Sequence, residues 1–252
     1  MAETVSMEPN AVTALVTAAV LGAVHLFAGR LRFLEALPRH WLLSAFGGIS
    51  VAYAVVHLLP EVAEADEALS DAAEGTLPFL DRHGYLVVLA GLAVFYGLER
   101  LAALSRFPHP GHADEGTPPG VFAISVGSFA VYNALVGYLL VHRADGQDAA
   151  GLALFAAALG VHFVVNDFAL RDHHKRRYEE MGRWMLSASI LFGWVTGALV
   201  DLSEATVGLV LAFLAGGVIL NVLKEELPDK RQSRLFPLMG GMVGYTALLL
   251  AV

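Results

Sequence analysis

Long apolar runs alternate with short polar connectors along the chain, and eight such runs stand out. They lie near residues 11–29, 41–60, 84–104, 119–142, 149–170, 184–200, 204–223 and 235–252. A helix needs roughly 20 consecutive apolar residues to cross the hydrocarbon core of a bilayer, and most of the runs approach or exceed that. The pattern predicts an all-α polytopic membrane protein with eight transmembrane helices in a single transmembrane domain, residues 1–252. The last run reaches the C-terminus, so no soluble domain is expected after it. Residues 1–10 carry Glu3 and Glu8 but no Lys or Arg. A signal peptide has a basic front end, so none is expected.

Polar chemistry breaks the apolar pattern most deeply at residues 160–174. The fifth run opens with Ala, Leu, Gly, Phe and Val from Ala149 to Leu159, then carries His162, Asn166 and Asp167. His162 and Asn166 are four apart and stack on one helical face, with Asp167 about 100° round from Asn166. An ionisable side chain at membrane depth is costly and points to function.

Composition agrees with this class. Of 252 residues, 56% are hydrophobic and 16% charged, against about 25% charged in soluble domains. Mean hydropathy is +0.61. There is no cysteine, which removes disulfides, zinc–thiolate sites and cysteine nucleophiles together. A net charge of −8 excludes nucleic acid as a partner on electrostatic grounds. Gly193/Gly197 and Gly240/Gly244 have the GxxxG spacing of closely packed membrane helices, a spacing that chance also produces in a chain with 25 glycines.

Basic residues set the orientation. Arg30, Arg32 and Arg39 follow the first run, and Arg100 and Arg106 the third. Arg171, Lys175, Arg176, Arg177 and Arg183 follow the fifth; Lys224, Lys230, Arg231 and Arg234 follow the seventh. Fourteen of the 16 basic residues thus fall on one side, leaving Arg82 and Arg143 on the other. The positive-inside rule puts the fourteen in the cytoplasm and both termini outside, as expected for a plasma (inner) membrane protein. The loop after the second run is acidic, with Glu61, Glu64, Asp66, Glu67, Asp71, Glu74 and Asp81. It is either a solvated loop or a vestibule that concentrates cations. The cytoplasmic loop 105–119 is Pro/Gly-rich; its His109, His112, Asp114 and Glu115 read either as weak metal donors or, with only two histidines, as parts of a linker, which the composition favours.

The chain also echoes itself. The second run has Gly47-Gly48 and ends His57-Leu58-Leu59-Pro60-Glu61. The seventh has Gly216-Gly217 and ends Glu226-Leu227-Pro228-Asp229, running the opposite way. Three runs, a central pair and three more is the inverted-repeat plan of many transporters, with the site between the fourth and fifth helices.

These fragments, in this order, resemble the ZIP family of divalent metal transporters. His57-Leu58-Leu59-Pro60-Glu61 is similar to that family's second-helix ending, and Leu98-Glu99-Arg100-Leu101 to its third. Ala215-Gly216-Gly217 resembles the seventh, and Asn166-Asp167-Phe168-Ala169 the stretch after the fifth-helix metal motif. The departures lie in the metal motifs. The fourth helix of the family usually carries His and an acid where this chain has Tyr132 and Val136, and the fifth an acid where it has Phe163. The resemblance implies that His162, Asn166, Asp167 and Asn133 keep ligand positions. His57 and Glu61, one helical turn facing the outer side, are the entrance candidates, and Glu225, Glu226 and Asp229 the exit candidates.

Such a set offers nitrogen and oxygen donors, which suit Zn, Fe, Mn or Co and not Cu(I). The expectation is ZIP-like transport of a divalent metal, zinc or a related first-row ion, toward the cytosol, with the ion as substrate and no catalytic cofactor. No enzymatic activity is expected. The partners expected are the lipid bilayer and the metal ion, with a homodimer left open. An alternative is a ZIP-fold membrane protein that has lost transport and serves a structural or interaction role, which Tyr132 and Val136 favour. On that view Asp167 pairs with Arg171 one turn on, and His162 is a hydrogen-bonded core histidine. His25 reads as isolated and structural. His173 and His174 read as anchors at the membrane interface.

Overall fold

A computed structural model describes residues 9–30, 39–64, 66, 84–104, 118–146, 149–222 and 234–251. Among them there is no β-strand. The helices are α1 (Pro9–Phe27), α2 (Arg39–Ala52), α3 (Gly84–Leu104), α4 (Pro119–Gly146), α5 (Ala149–Arg177), α6 (Arg183–Leu199), α7 (Glu204–Asn221) and α8 (Leu235–Ala251). Among the described residues, six stretches are long and apolar enough to cross a membrane: Asn10–Phe27, Ser44–Glu64, Gly84–Leu101, Pro119–Ala144, Ala149–Leu199 and Glu204–Asn221. Leu235–Ala251 is a shorter apolar helix. Val16, Val20, Leu89, Val131, Phe192 and Val243 are each more than half exposed on the outside of the bundle. An apolar exterior with the polar groups turned inward is what lipid demands. The chain is an integral membrane protein.

Local signals explain several helix ends. Pro119 opens α4, where its missing N–H is no loss, and the Phe122 N–H reaches the Pro118 carbonyl at 3.1 Å. Ser203 caps α7 by accepting from the Thr206 N–H. α2 does not stop at Ala52 but continues through a π-helical turn, Tyr53–Leu58, which carries His57.

The stretch from 149 to 199 was expected as two runs with a connector at 171–183. Helix instead runs to Arg177, broken at Lys175 (φ 46°, ψ −121°), and π-helical Tyr178–Gly182 leads into α6. The Tyr178 hydroxyl reaches Asp167, eleven residues earlier. Eleven residues of straight helix span about 16 Å, so the chain must double back at Lys175.

Glycines set how closely the helices pack, and they act in reciprocal pairs. A Cβ at Gly137 would fall 2.0 Å from the Ile190 carbonyl, and one at Gly193 1.9 Å from the Ala134 carbonyl, so α4 and α6 touch backbone to backbone. Gly48 and Gly241 do the same for α2 and α8, and Gly91 and Gly216 for α3 and α7. Gly197, of the expected Gly193/Gly197 motif, meets Tyr138 on α4. The Gly240/Gly244 spacing makes no contact among the described residues: neither glycine has a described neighbour within 4 Å of an added Cβ, and Gly241 faces α2 in their place. One helical residue is a 100° rotation, which moves the small face off the GxxxG pair. Helices α1, α4, α5 and α6 gather on one side of the bundle. The pairs α2–α8 and α3–α7 pack against this group mainly through α2–α5 and α3–α4 respectively.

Candidate metal-binding site

The deep polar residues of α5 meet partners from three other parts of the chain. Asp167 is 1% exposed, and its Oδ1 lies 2.9 Å from Nδ1 of His25 on α1. The same oxygen accepts a hydrogen bond from the Tyr178 hydroxyl. Nε2 of His25 lies 2.9 Å from Oδ1 of Asn133 on α4. His25 therefore joins two expected ligand positions, Asn133 and Asp167, and is itself 1% exposed. One turn outward on α5, the Asn166 amide nitrogen donates to His162 Nε2 at 3.1 Å.

Hydrogen-bond arithmetic fixes where the protons are. The Asn133 amide nitrogen donates to the Phe129 carbonyl at 2.8 Å, so its oxygen must be the atom facing His25. Nε2 of His25 therefore carries hydrogen and donates. Asp167 Oδ2 is buried and has no hydrogen-bond partner among the described residues.

The pairing of Asp167 with Arg171 is overturned. Nε of Arg171 turns to Glu179 at 2.6 Å, across the chain reversal, while Asp167 looks to His25 and Tyr178. The reading of His25 as isolated is overturned too. Its signal was present, since an imidazole in the last turn of the first apolar helix is an ionisable group within an apolar run. Tyr178 gave no such signal, because its reach to Asp167 depends on the backbone break at Lys175. His174 is buried with its ring edge on Phe122, whereas His173 is exposed.

Aromatic and aliphatic side chains fill the positions where the resemblance would place further ligands. Tyr132, Phe163 and Val136 are each 2% exposed or less. Tyr132 stands against His162 and Phe163, with ring centroids 6.0 and 6.4 Å apart, and Phe163 stacks at 4.6 Å on His25. Among the described residues, no group of three or more His, Asp or Glu side chains is gathered closely enough to hold a metal ion.

A second polar cluster lies near the expected outer ends of α2 and α4. Arg143 grips Glu61 with both terminal nitrogens, Nη1 to Oε1 at 2.7 Å, and stacks over the Phe155 ring at 4.1 Å. His57 Nε2 lies 3.1 Å from Glu61. The Glu61 carboxylate is thus already offset by a guanidinium from α4. Glu225, Glu226 and Asp229 lie outside the described residues, as do His109, His112, Asp114 and Glu115.

No family model, curated protein or solved structure matches the chain.

Proposed function

We propose that this membrane protein is a ZIP-like transporter that moves a divalent metal cation, zinc or a related first-row ion, toward the cytosol. The observation that carries the reading is Asp167, a carboxylate 1% exposed among apolar helices, with Oδ2 unpaired among the described residues. A carboxylate oxygen kept without a donor at membrane depth suits a group that meets a cation in its working cycle. His162, Asn166 and Asn133, all buried close by, add the nitrogen and oxygen donors of a first-row metal site. His57 and Glu61 stand at the entrance and Glu225, Glu226 and Asp229 at the exit. Division of Ala149–Leu199 at Lys175, with Leu235–Ala251 counted as a span, gives eight crossings arranged as a 3+2+3 inverted repeat. The basic side then faces the cytosol across the plasma (inner) membrane, with both termini outside. Uptake of Zn²⁺, Fe²⁺, Mn²⁺ or Co²⁺ into proteoliposomes tests the reading. Uptake of at least one ion above protein-free vesicles supports it, and uptake of none overturns it.

A second reading rests on the packing of Tyr132, Val136 and Phe163, which fill the centre with apolar surface. On it the chain keeps the ZIP-like bundle as a structural or interaction protein, and the buried network holds helices together. Purified protein that takes up none of these ions yet stays folded would select it.

A further inference from the structure

The reciprocal glycine contacts hold helices together within groups: α4 with α6, α2 with α8 and α3 with α7. The contact of Glu61 with Arg143 runs between groups, from the end of the Ser44–Glu64 stretch to α4. We propose that this pair is a latch that, when closed, shuts the way from its end of the bundle to the centre, with the π-helical turn Tyr53–Leu58 as the hinge on which it opens. This rests on the transport reading, which makes that end the outer one.

The latch stands on an aromatic floor. Arg143 meets Glu61 through both terminal nitrogens, Nη1 to Oε1 at 2.7 Å, a fork that fixes direction as well as charge. The guanidinium covers the Phe155 ring at 4.1 Å, and buried Tyr53 stands beside that ring with centroids 6.1 Å apart. Phe155, Leu159 and His162 follow at spacings of four and three, so they share one buried face of α5. The latch caps one end of that face, and the central network holds the other.

Glu61 also hangs on an element with two forms. A π turn closes its hydrogen bonds one residue later than an α turn; it is rare, and it recurs at functional sites. Helix resumes over residues 59–64, so the turn sets the direction in which Glu61 points. Conversion of the turn to α geometry would rotate Glu61 by about 100° and carry it off Arg143. His57, on the turn itself, lies 3.1 Å from Glu61, so hinge and latch touch. A buried ion pair adds little stability over an apolar contact of the same size, and its best-attested use is to select one register or state.

The chain has no cysteine, so a single introduced thiol reports access without background. Leu159→Cys places one on the α5 face between Phe155 and His162. Ile190→Cys places another, equally buried, where α1, α4 and α6 meet. A charged methanethiosulfonate reagent, applied to the full chain in detergent, gives each labelling rate with no metal and no uptake involved. The latch and the transport reading therefore fail separately. A minor open state holds about 0.1–10% of a two-state protein, so Glu61→Gln and Arg143→Gln should each speed labelling at Leu159→Cys by about tenfold or more. The rate at Ile190→Cys should not change. Arg143→Lys, which keeps the charge and loses the fork, should fall between. An unchanged rate at Leu159→Cys in a folded latch variant overturns the proposal, as does fast labelling there with the latch intact. An equal rise at Ile190→Cys marks general loosening and overturns it too. If none of the three latch variants folds, the pair is a fixed strut and the proposal falls.

Discussion

His25 and Asp167 are 142 positions apart in the chain, and their side chains meet at 2.9 Å in the interior, each 1% exposed. Through this contact α1 and α5 share a buried polar pair, which Asn133 of α4 and Tyr178 extend to four parts of the chain. A hydrogen bond contributes about 0.5–1.5 kcal/mol net, and Tyr178 supplies one to Asp167. Tyr178→Phe should therefore lower stability by about that much while keeping the fold. Unfolding in mixed detergent–denaturant measures it, and an unchanged midpoint would remove Tyr178 from the network.

Helix spacing gives a contrast between neighbouring glycines. Gly137→Val would drive a side chain into the Ile190 carbonyl, and α4 and α6 would have to part. Gly244→Ala meets nothing within 4 Å and replaces a residue that weakens helices by about 1 kcal/mol. The first should abolish recovery of monodisperse protein and the second should be neutral or mildly stabilising. Size-exclusion profiles in detergent distinguish them, and equal behaviour would contradict the packing described.

Much of this was legible in the sequence, for reasons that differ by element. The helices follow from apolar run length, which hydropathy reads directly. The His162–Asn166 contact follows from four-residue spacing on one helix. His25 to Asp167 is a contact between helices, and no periodicity encodes it. Asp167 to Arg171 was wrong because spacing allowed it while tertiary partners won: Glu179, brought back by the turn, took the guanidinium. The turn was itself unmarked, since Lys175 takes a positive φ where Gly or Asn would have signalled one.

Glu61 and Arg143 are 16% and 9% exposed, and each holds the other's charge. Removal of one partner leaves an uncompensated charge in a partly buried place, which costs roughly 3 kcal/mol or more. Glu61→Gln and Arg143→Gln should each destabilise by about that amount, and the double variant by less than the sum of the two. A double-mutant cycle in detergent measures the coupling. Additive effects would show that the pair contributes nothing.

The centre has room for the charge of one dication at most. Two dications about 4 Å apart repel by roughly 16 kcal/mol at an effective dielectric of about 20, and bridging carboxylates must offset this. Asp167 is the one carboxylate among the described central residues, since Val136 and Phe163 carry no charge. Val136→Glu should strengthen binding of a divalent ion. Anomalous diffraction from zinc-soaked crystals of the unmodified protein should show no more than one ion between α4 and α5. Two fully occupied ions would contradict this account of the charge.

Zinc uptake by proteoliposomes carrying the unmodified chain beside Asp167→Asn tests the central claim most directly. The variant keeps an oxygen for Tyr178 and loses the carboxylate proposed to meet the ion. Detergent unfolding of both proteins confirms that each is folded before transport is compared. Uptake by the unmodified chain, with none above protein-free vesicles for the folded variant, is the expected result. Equal uptake by a well-folded Asp167→Asn protein would contradict the account and move the site away from Asp167.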